Sequence, residues 1–316
     1  MKRLTFLLIA FVCSIILGAG QEKLEWTVSV DQWALDTTAL KEREKEREKE
    51  QEMIPSFEEL MPVNGYYQQG GDCWSDYFFQ FVNNNSVVRV YDLSTKTLVQ
   101  TVTIGNSQRG FVPNCHCNTV CFGTEYYNVE DTFPLIYVST GYASGGYTGA
   151  LVYRITQHNG IFFITLVQTI RFPVGKSSWT EFVPGENGFA YLCYTSQRVI
   201  YRVAMPKLKD GDIVISPEDA LETFQFTPQP DWMSTSKNQD RLYYKGKILY
   251  ITGVPQNGEV SAFVALNLEK IERETIIDFK KLGLKNESES LFVWQGDLYV
   301  AFVDKIVKLV NFIDTP

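Results

Sequence analysis

From residue 54 to the C-terminus, short runs rich in Val, Ile, Tyr, Phe and Thr alternate with turn residues. DYFFQFV, SVVRVYDL, PLIYVST, ALVYRI, FFITLVQTI and DLYVAF are examples. Such runs are the mark of many β-strands, and no stretch here carries a long helical period. One kind of strand recurs with an aromatic residue in it: DYFFQ, PLIYV, GFAYL, KILYI and GDLYV. These strands begin at residues 76, 134, 188, 247 and 296, at intervals of 58, 54, 59 and 49. Repeats of about that size are four-stranded blades set around an axis. The expected fold is therefore all-β, a five-bladed β-propeller. Its last unit stops after about three strands, at VDKIVKLVNF. The segment IPSFEELMPV, ahead of the first unit, is expected to supply the missing outer strand and so close the ring without exposed edges.

The chain ahead of this domain divides in two. Residues 1–20 read as a secretory signal: Lys2 and Arg3, an apolar run from Leu4 to Leu17, then Gly18, Ala19 and Gly20. Lipidation at Cys13 is the alternative, opposed by the bulky Phe11 and Val12 before it. Residues 21–53 read as a charged spacer, and residues 54–316 as the propeller. Lys41 to Glu52, KEREKEREKEQE, stacks like charges at i,i+4 and opposite charges at i,i+3, so a solvated, marginal helix is expected. Trp26 and Trp33 lie in a stretch that is either disordered or one short docked strand. Cleavage after residue 20 removes two positive charges and takes the formal net charge from −8 to −10. A chain this acidic is a poor partner for nucleic acid. No transmembrane segment remains after cleavage. The expected location is secreted, periplasmic or at the cell surface.

A polar residue precedes the middle of the aromatic strand by nine positions in four units: Gln69, Glu181, Asp240 and Glu289. In the second unit the insertion TEYYNVEDTF breaks the count, and His116 or Asn118 stands in the matching place. If the offset marks equivalent heights on the innermost strands, these side chains ring one mouth of the central channel. Glu181, Asp240 and Glu289 would repel one another unless a cation, an Arg or protons compensate. Calcium is the cation that oxygen ligands of this sort take. Arg241 and Lys237 are the neutralisers nearest in sequence. The plainer reading is a water-filled polar channel.

Cys115, His116, Cys117 and Cys121 are the densest set of possible transition-metal ligands, but C-H-C-x3-C is not a zinc spacing. On a strand the three thiols would share one face and His116 and Asn118 the other. Buried structural cysteines are expected, with a disulfide from Cys73 or Cys193 as the alternative. The chain has two histidines, no G-x-S-x-G elbow and no phosphate-binding P-loop; YASGGYTGA at 142–150 joins strands rather than opening a helix. Trp74, Trp179 and Trp232 recur near unit starts, which suits packing between blades or stacking on a ligand.

QQGGDCWSDYFFQF, VVRVYDLSTKTLV and HCNTVCFG with FPLIYVS resemble poorly characterised secreted propeller proteins of the Bacteroidetes. ESESLFVWQGDLYVAF resembles the strand pair of glutaminyl-cyclotransferase and lactonase-like propellers, with Ser290 where those families carry glycine. This resemblance implies the fold over roughly residues 64–312. The function expected is binding of a small polar ligand, glycan, cation or protein partner at the channel rim. The alternatives are a glycan- or peptide-modifying enzyme using Glu181, Asp240 and Glu289, and a purely structural surface module.

Overall fold

The computed structural model describes residues 38–45, 54–63, 68–82, 87–104, 115–140, 149–172, 180–194, 199–228, 230–233 and 237–313. The chain separates into two compact units, residues 1–54 and 55–316. In the first, residues 38–45 are helical and exposed. This includes the start of the alternating Lys/Glu/Arg run. The signal segment, Trp26 and Trp33 lie outside the described residues, as do the glycine-rich stretch at 141–148 and Trp179. Among the described residues no helix is long and apolar enough to cross a membrane.

The second unit is a five-bladed β-propeller of five small sheets. Strand β1 (Ser56–Pro62) precedes the first blade, which is β2 (Gln68–Trp74), β3 (Tyr77–Val82), β4 (Val87–Asp92) and β5 (Thr97–Thr103). The second blade is β6 (Val120–Phe122), β7 (Ile136–Ser139), β8 (Gly149–His158) and β9 (Ile161–Arg171). The third is β10 (Thr180–Pro184), β11 (Phe189–Tyr194) and β12 (Val199–Ala204), followed by β13 (Ile213–Val214) and β14 (Glu222–Gln225). Of these last two, β14 completes the third blade, while β13 leaves it to pair in parallel with β9 of the second. The fourth blade is β15 (Asn238–Tyr244), β16 (Lys247–Thr252), β17 (Ala262–Asn267) and β18 (Glu272–Asp278). The fifth is β19 (Ser288–Trp294), β20 (Asp297–Phe302) and β21 (Lys305–Val310), completed by β1, which pairs antiparallel with β21. The ring is closed by the N-terminal strand, and the fifth blade has no free outer edge along β21.

The recurring aromatic strands are β3, β7, β11, β16 and β20, the second strand of each blade. They are buried on both faces because neighbouring blades cover them. Hence they read as continuous apolar runs rather than as alternating ones. Tight hairpins carry the chain from β15 to β16 and from β19 to β20. Lys245–Gly246 and Gln295–Gly296 take positive φ at both positions, the two-residue turn that matches strand twist. Aromatic rings fill the gaps between blades. Phe78 stacks on Phe292 at 4.4 Å between the first and fifth blades, and Tyr191 on Tyr243 at 5.3 Å between the third and fourth. Trp74 packs on Phe122 of the second blade at 5.8 Å, the inter-blade role open to it in the sequence.

Candidate functional site

The innermost strands are β2, β6, β10, β15 and β19, and their first residues gather around the axis. Three of them begin with the same irregularity. The ladder slips between Gln68 and Gly71, between Asn238 and Asp240, and between Ser288 and Ser290. Each slip inserts one extra residue, so Gln69, Gln239 and Glu289 stand at corresponding β-bulges. Bulges re-aim side chains and are common beside binding sites. The nine-residue offset therefore holds for Gln69 and Glu289. In the fourth blade, counting from the hairpin, it falls on Gln239. Asp240 lies one residue further in, opposite Ile251, as Ser290 lies opposite Ala301. Glu181 lies opposite Cys193 on a strand without a bulge, level with Asp240 and Ser290.

Two levels result. At the mouth, the start of the second blade joins the first and fourth: the Gly70 amide donates to the Cys117 carbonyl at 2.9 Å, and Asn118 Nδ2 to the Asn238 carbonyl at 3.1 Å. A Cβ on residue 70 would lie 2.3 Å from the Asn118 carbonyl oxygen, so only glycine permits this approach. Ser290 Oγ donates to the Gln69 carbonyl at 2.9 Å and brings the fifth blade to the first. Gln69, Asn118, Asn238 and Glu289 are thus drawn to one place by contacts among their own or adjacent residues. Gln69, Asn118 and Glu289 are 7%, 1% and 3% exposed. Yet Gln69 Oε1, Asn118 Oδ1 and Glu289 Oε2 have no hydrogen-bond partner among the described residues. Burial, then the neighbouring Glu287, pushes the Glu289 carboxyl well above its ordinary range.

One level further in, side chains tie each blade to the next. Asp72 accepts the amides of Cys73 and, in the second blade, Phe122, both at 2.7 Å. The Phe182 amide of the third blade donates to Ser139 Oγ of the second at 2.8 Å. Glu181 pairs with Arg241 Nε across the third and fourth blades, both side chains buried. Asp240 accepts the Arg241 amide at 2.7 Å and the Leu291 amide of the fifth blade at 2.8 Å. Ser290 completes the circuit through Gln69. Burial raises Asp72 to about 7 and raises Glu181 and Asp240 as well. Of the neutralisers named in the sequence, Arg241 is in contact with a carboxylate of the ring. Lys237 instead lies at the rim, 3.6 Å from Glu259.

The rim is charged. Gln239 Nε2 donates to Glu287 Oε1 at 2.5 Å, and burial raises the Glu287 carboxyl. His116 is partly buried beside Lys237, and burial followed by that lysine lowers its pKa. Sequence reasoning passed over Gln239, Asp72, Ser290 as a tie, and Glu287. A count from the Lys-Gly and Gln-Gly hairpins instead of from the aromatic residue finds Gln239. Asp72 is signalled by an acid in the middle of GGDCW, where the flanking strand is buried.

The cysteines are buried, and all five among the described residues are free thiols. The strand parity anticipated for them does not apply. Residues 115–119 are irregular, and Cys117 takes φ +53°. Cys115 and Cys117 pack in the core between the first and second blades with their sulfurs 3.4 Å apart. Cys121 faces the fourth blade, where it donates to the Arg241 carbonyl at 3.1 Å. Among the described residues no group of three or more His, Cys, Asp or Glu side chains is disposed to hold a metal.

No family model matches the chain, and no curated protein matches it. Among solved structures it is similar to the glutaminyl cyclase of Myxococcus xanthus, with a TM-score of 0.48 and 11% identity, over 81% of this chain and 95% of that one. It is also similar to a streptogramin B lyase, with a TM-score of 0.42 and 11% identity, over 81% of this chain and 98% of that one. Likeness of this degree concerns architecture, and the chemistry of those enzymes does not carry to these residues.

Proposed function

We propose that this is an exported β-propeller that binds a small, hydrogen-bond-donating or cationic ligand at the mouth of its axis. The observation that carries the reading is the set of buried, unpartnered oxygens of Gln69, Asn118 and Glu289 where the inner strands converge. A buried acceptor without a donor costs about 1–3 kcal/mol, so such atoms call for an occupant. All three atoms are acceptors, which favours a metal cation, an ammonium group or water over an anion. Two amide oxygens and a carboxylate are hard donors, and calcium is the simplest ion they suit. Glu181 and Asp240, one level in, tie neighbouring blades and so fix the positions of the inner strands that carry the mouth. Export, the expectation drawn from residues 1–20, would place the site outside the cytoplasm, where weaker calcium sites serve.

The experiment is thermal unfolding of the mature chain with calcium, magnesium and methylammonium at constant ionic strength. Calcium is expected to raise Tm in a concentration-dependent way by mass action, and Glu289→Gln to abolish most of the rise. Burial and Glu287 favour the protonated Glu289 carboxyl, and a cation competes with that proton, so calcium affinity should increase with pH. No rise with any probe, or an equal rise in the variant, overturns the reading.

A further inference from the structure

A cavity of roughly 400 Å³ opens between the loop that joins β16 to β17 and the segment that joins β18 to β19. That size is within the range, about 300–1,000 Å³, of small-molecule sites. Nothing in the mouth described above uses it.

Both walls are held in place. On one side Gly253 takes φ +94°, and a Cβ there would lie 2.1 Å from the Val260 carbonyl oxygen. Thr252 Oγ1 donates to that same carbonyl at 3.1 Å. On the other side a 3-10 turn, Phe279–Leu282, is capped by Asp278, which accepts the Lys280 amide at 2.9 Å. Phe279 and Leu284 anchor this turn in the core at 0% and 2% exposure. The Phe279 amide donates to the Ser261 carbonyl at 3.0 Å and joins the two walls.

The lining has a consistent chemistry. Pro255, Val260 and Leu284 supply an apolar surface. Lys280 and Lys285 supply two exposed ammonium groups at the lip, and neither has an ion-pair partner among the described residues. Ser261 is 4% exposed, and its Oγ has no hydrogen-bond partner among the described residues. The acids that also line the cavity are already engaged. Asp278 accepts the backbone of its own turn, and Glu259 accepts the amides of Val254 and Lys237 and faces the Lys237 ammonium. With Glu259 paired to Lys237, the two ammonium groups outweigh the Asp278 carboxylate and leave a net positive charge for a ligand, and the hydroxyl is left over as well. We propose that this cavity is a second site, for a small organic anion with an apolar body, held by Lys280 and Lys285 and hydrogen-bonded by Ser261.

The test is calorimetric titration of the mature chain with hexanoate, hexyl phosphate and hexylammonium at constant ionic strength. One or both anions are expected to bind, hexylammonium is not, and which anion binds more tightly tells a carboxylate from a phosphate ligand. The double substitution Lys280→Gln with Lys285→Gln should weaken binding at least tenfold. It changes only exposed side chains, so the fold is kept. Ser261→Ala should weaken it severalfold. Equal binding of hexylammonium, or unchanged affinity in the double lysine variant, overturns the proposal. Glu289→Gln, which empties the mouth, should leave anion binding intact, so the two sites fail separately.

Discussion

The two levels of the axis lie one residue apart along β15 and β19 and three apart along β2, and they differ in how their polar atoms are used. In the deeper level, Asp72, Asp240 and Ser290 spend their polar atoms on the next blade, and Glu181 spends one oxygen on Arg241 while its Oε1 has no partner among the described residues. In the level above, Gln69, Asn118 and Glu289 are as deeply buried and leave an oxygen unused. Burial alone therefore does not separate a structural polar residue from a candidate ligand-binding one. For Asp72, Asp240 and Ser290 the partners are already supplied by the fold, and for Glu181 the Arg241 counter-charge is; the mouth oxygens have neither. The bulges make the difference possible, because one extra residue puts a new side chain at the mouth without disturbing the ladder below it.

The deeper level should yield the largest effects. Arg241→Met leaves Glu181 buried without its counter-charge, a change that typically costs about 3–5 kcal/mol. Equilibrium unfolding in urea should show a loss of that order. The paired change Arg241→Met with Glu181→Leu should recover most of it, since an apolar pair can replace a buried ion pair at little cost. No recovery would mean that the ring needs the charges themselves.

Next in size is a dependence on pH. Asp72 has a folded pKa of about 7 against an ordinary value of 3.8, because burial outweighs its two amide partners. Between those values the folded chain keeps a proton that the unfolded chain releases, so stability falls as pH rises from about 4 to about 7. Asp72 alone accounts for roughly 4 kcal/mol of that decline. Glu181 and Asp240 are also raised and add to it in the same direction. Urea unfolding of Asp72→Asn across this range should show a shallower slope than the unaltered chain. An unchanged slope would place the proton elsewhere in the ring.

Much of the architecture was legible in the sequence because the second strand of each blade is buried on both faces and keeps its aromatic residue. The closing role of Ser56–Pro62 was legible because the last unit is visibly a strand short. The site was legible only in part. A fixed offset detects equivalent positions only where the intervening loops have equal length and no bulge intervenes. The hairpin of the third blade has three residues, Glu186 to Gly188, where those of the fourth and fifth have two. That added residue moved Glu181 to the level of Asp240, and counting from Leu249 instead of Ile248 passed over Gln239. Glu181 and Asp240 were singled out as acids in strands, which they are. Their partners, the Arg241 side chain and the Leu291 amide, come from neighbouring blades and only the ring brings them close.

The smallest expected effect sharpens the comparison most. With the mouth empty, Glu289→Gln should change stability by less than about 1 kcal/mol, the range of a substitution that breaks no existing interaction. Burial and then Glu287 raise this carboxyl well above its ordinary range, which favours its neutral form. Glutamine reproduces the shape of a neutral carboxyl group, and Oε2 has no partner among the described residues to lose. Asp240→Asn is the matched control: also acid to amide and also fully buried. It places an NH₂ group against one of two amide donors, Arg241 or Leu291, and turns a hydrogen bond into a clash of donors. Its cost should exceed that of Glu289→Gln by about 1–3 kcal/mol. Urea unfolding of both variants at pH 6 without divalent cations measures the gap. Equal costs would show that the mouth level is structural after all, with Glu289 held by something other than a ligand.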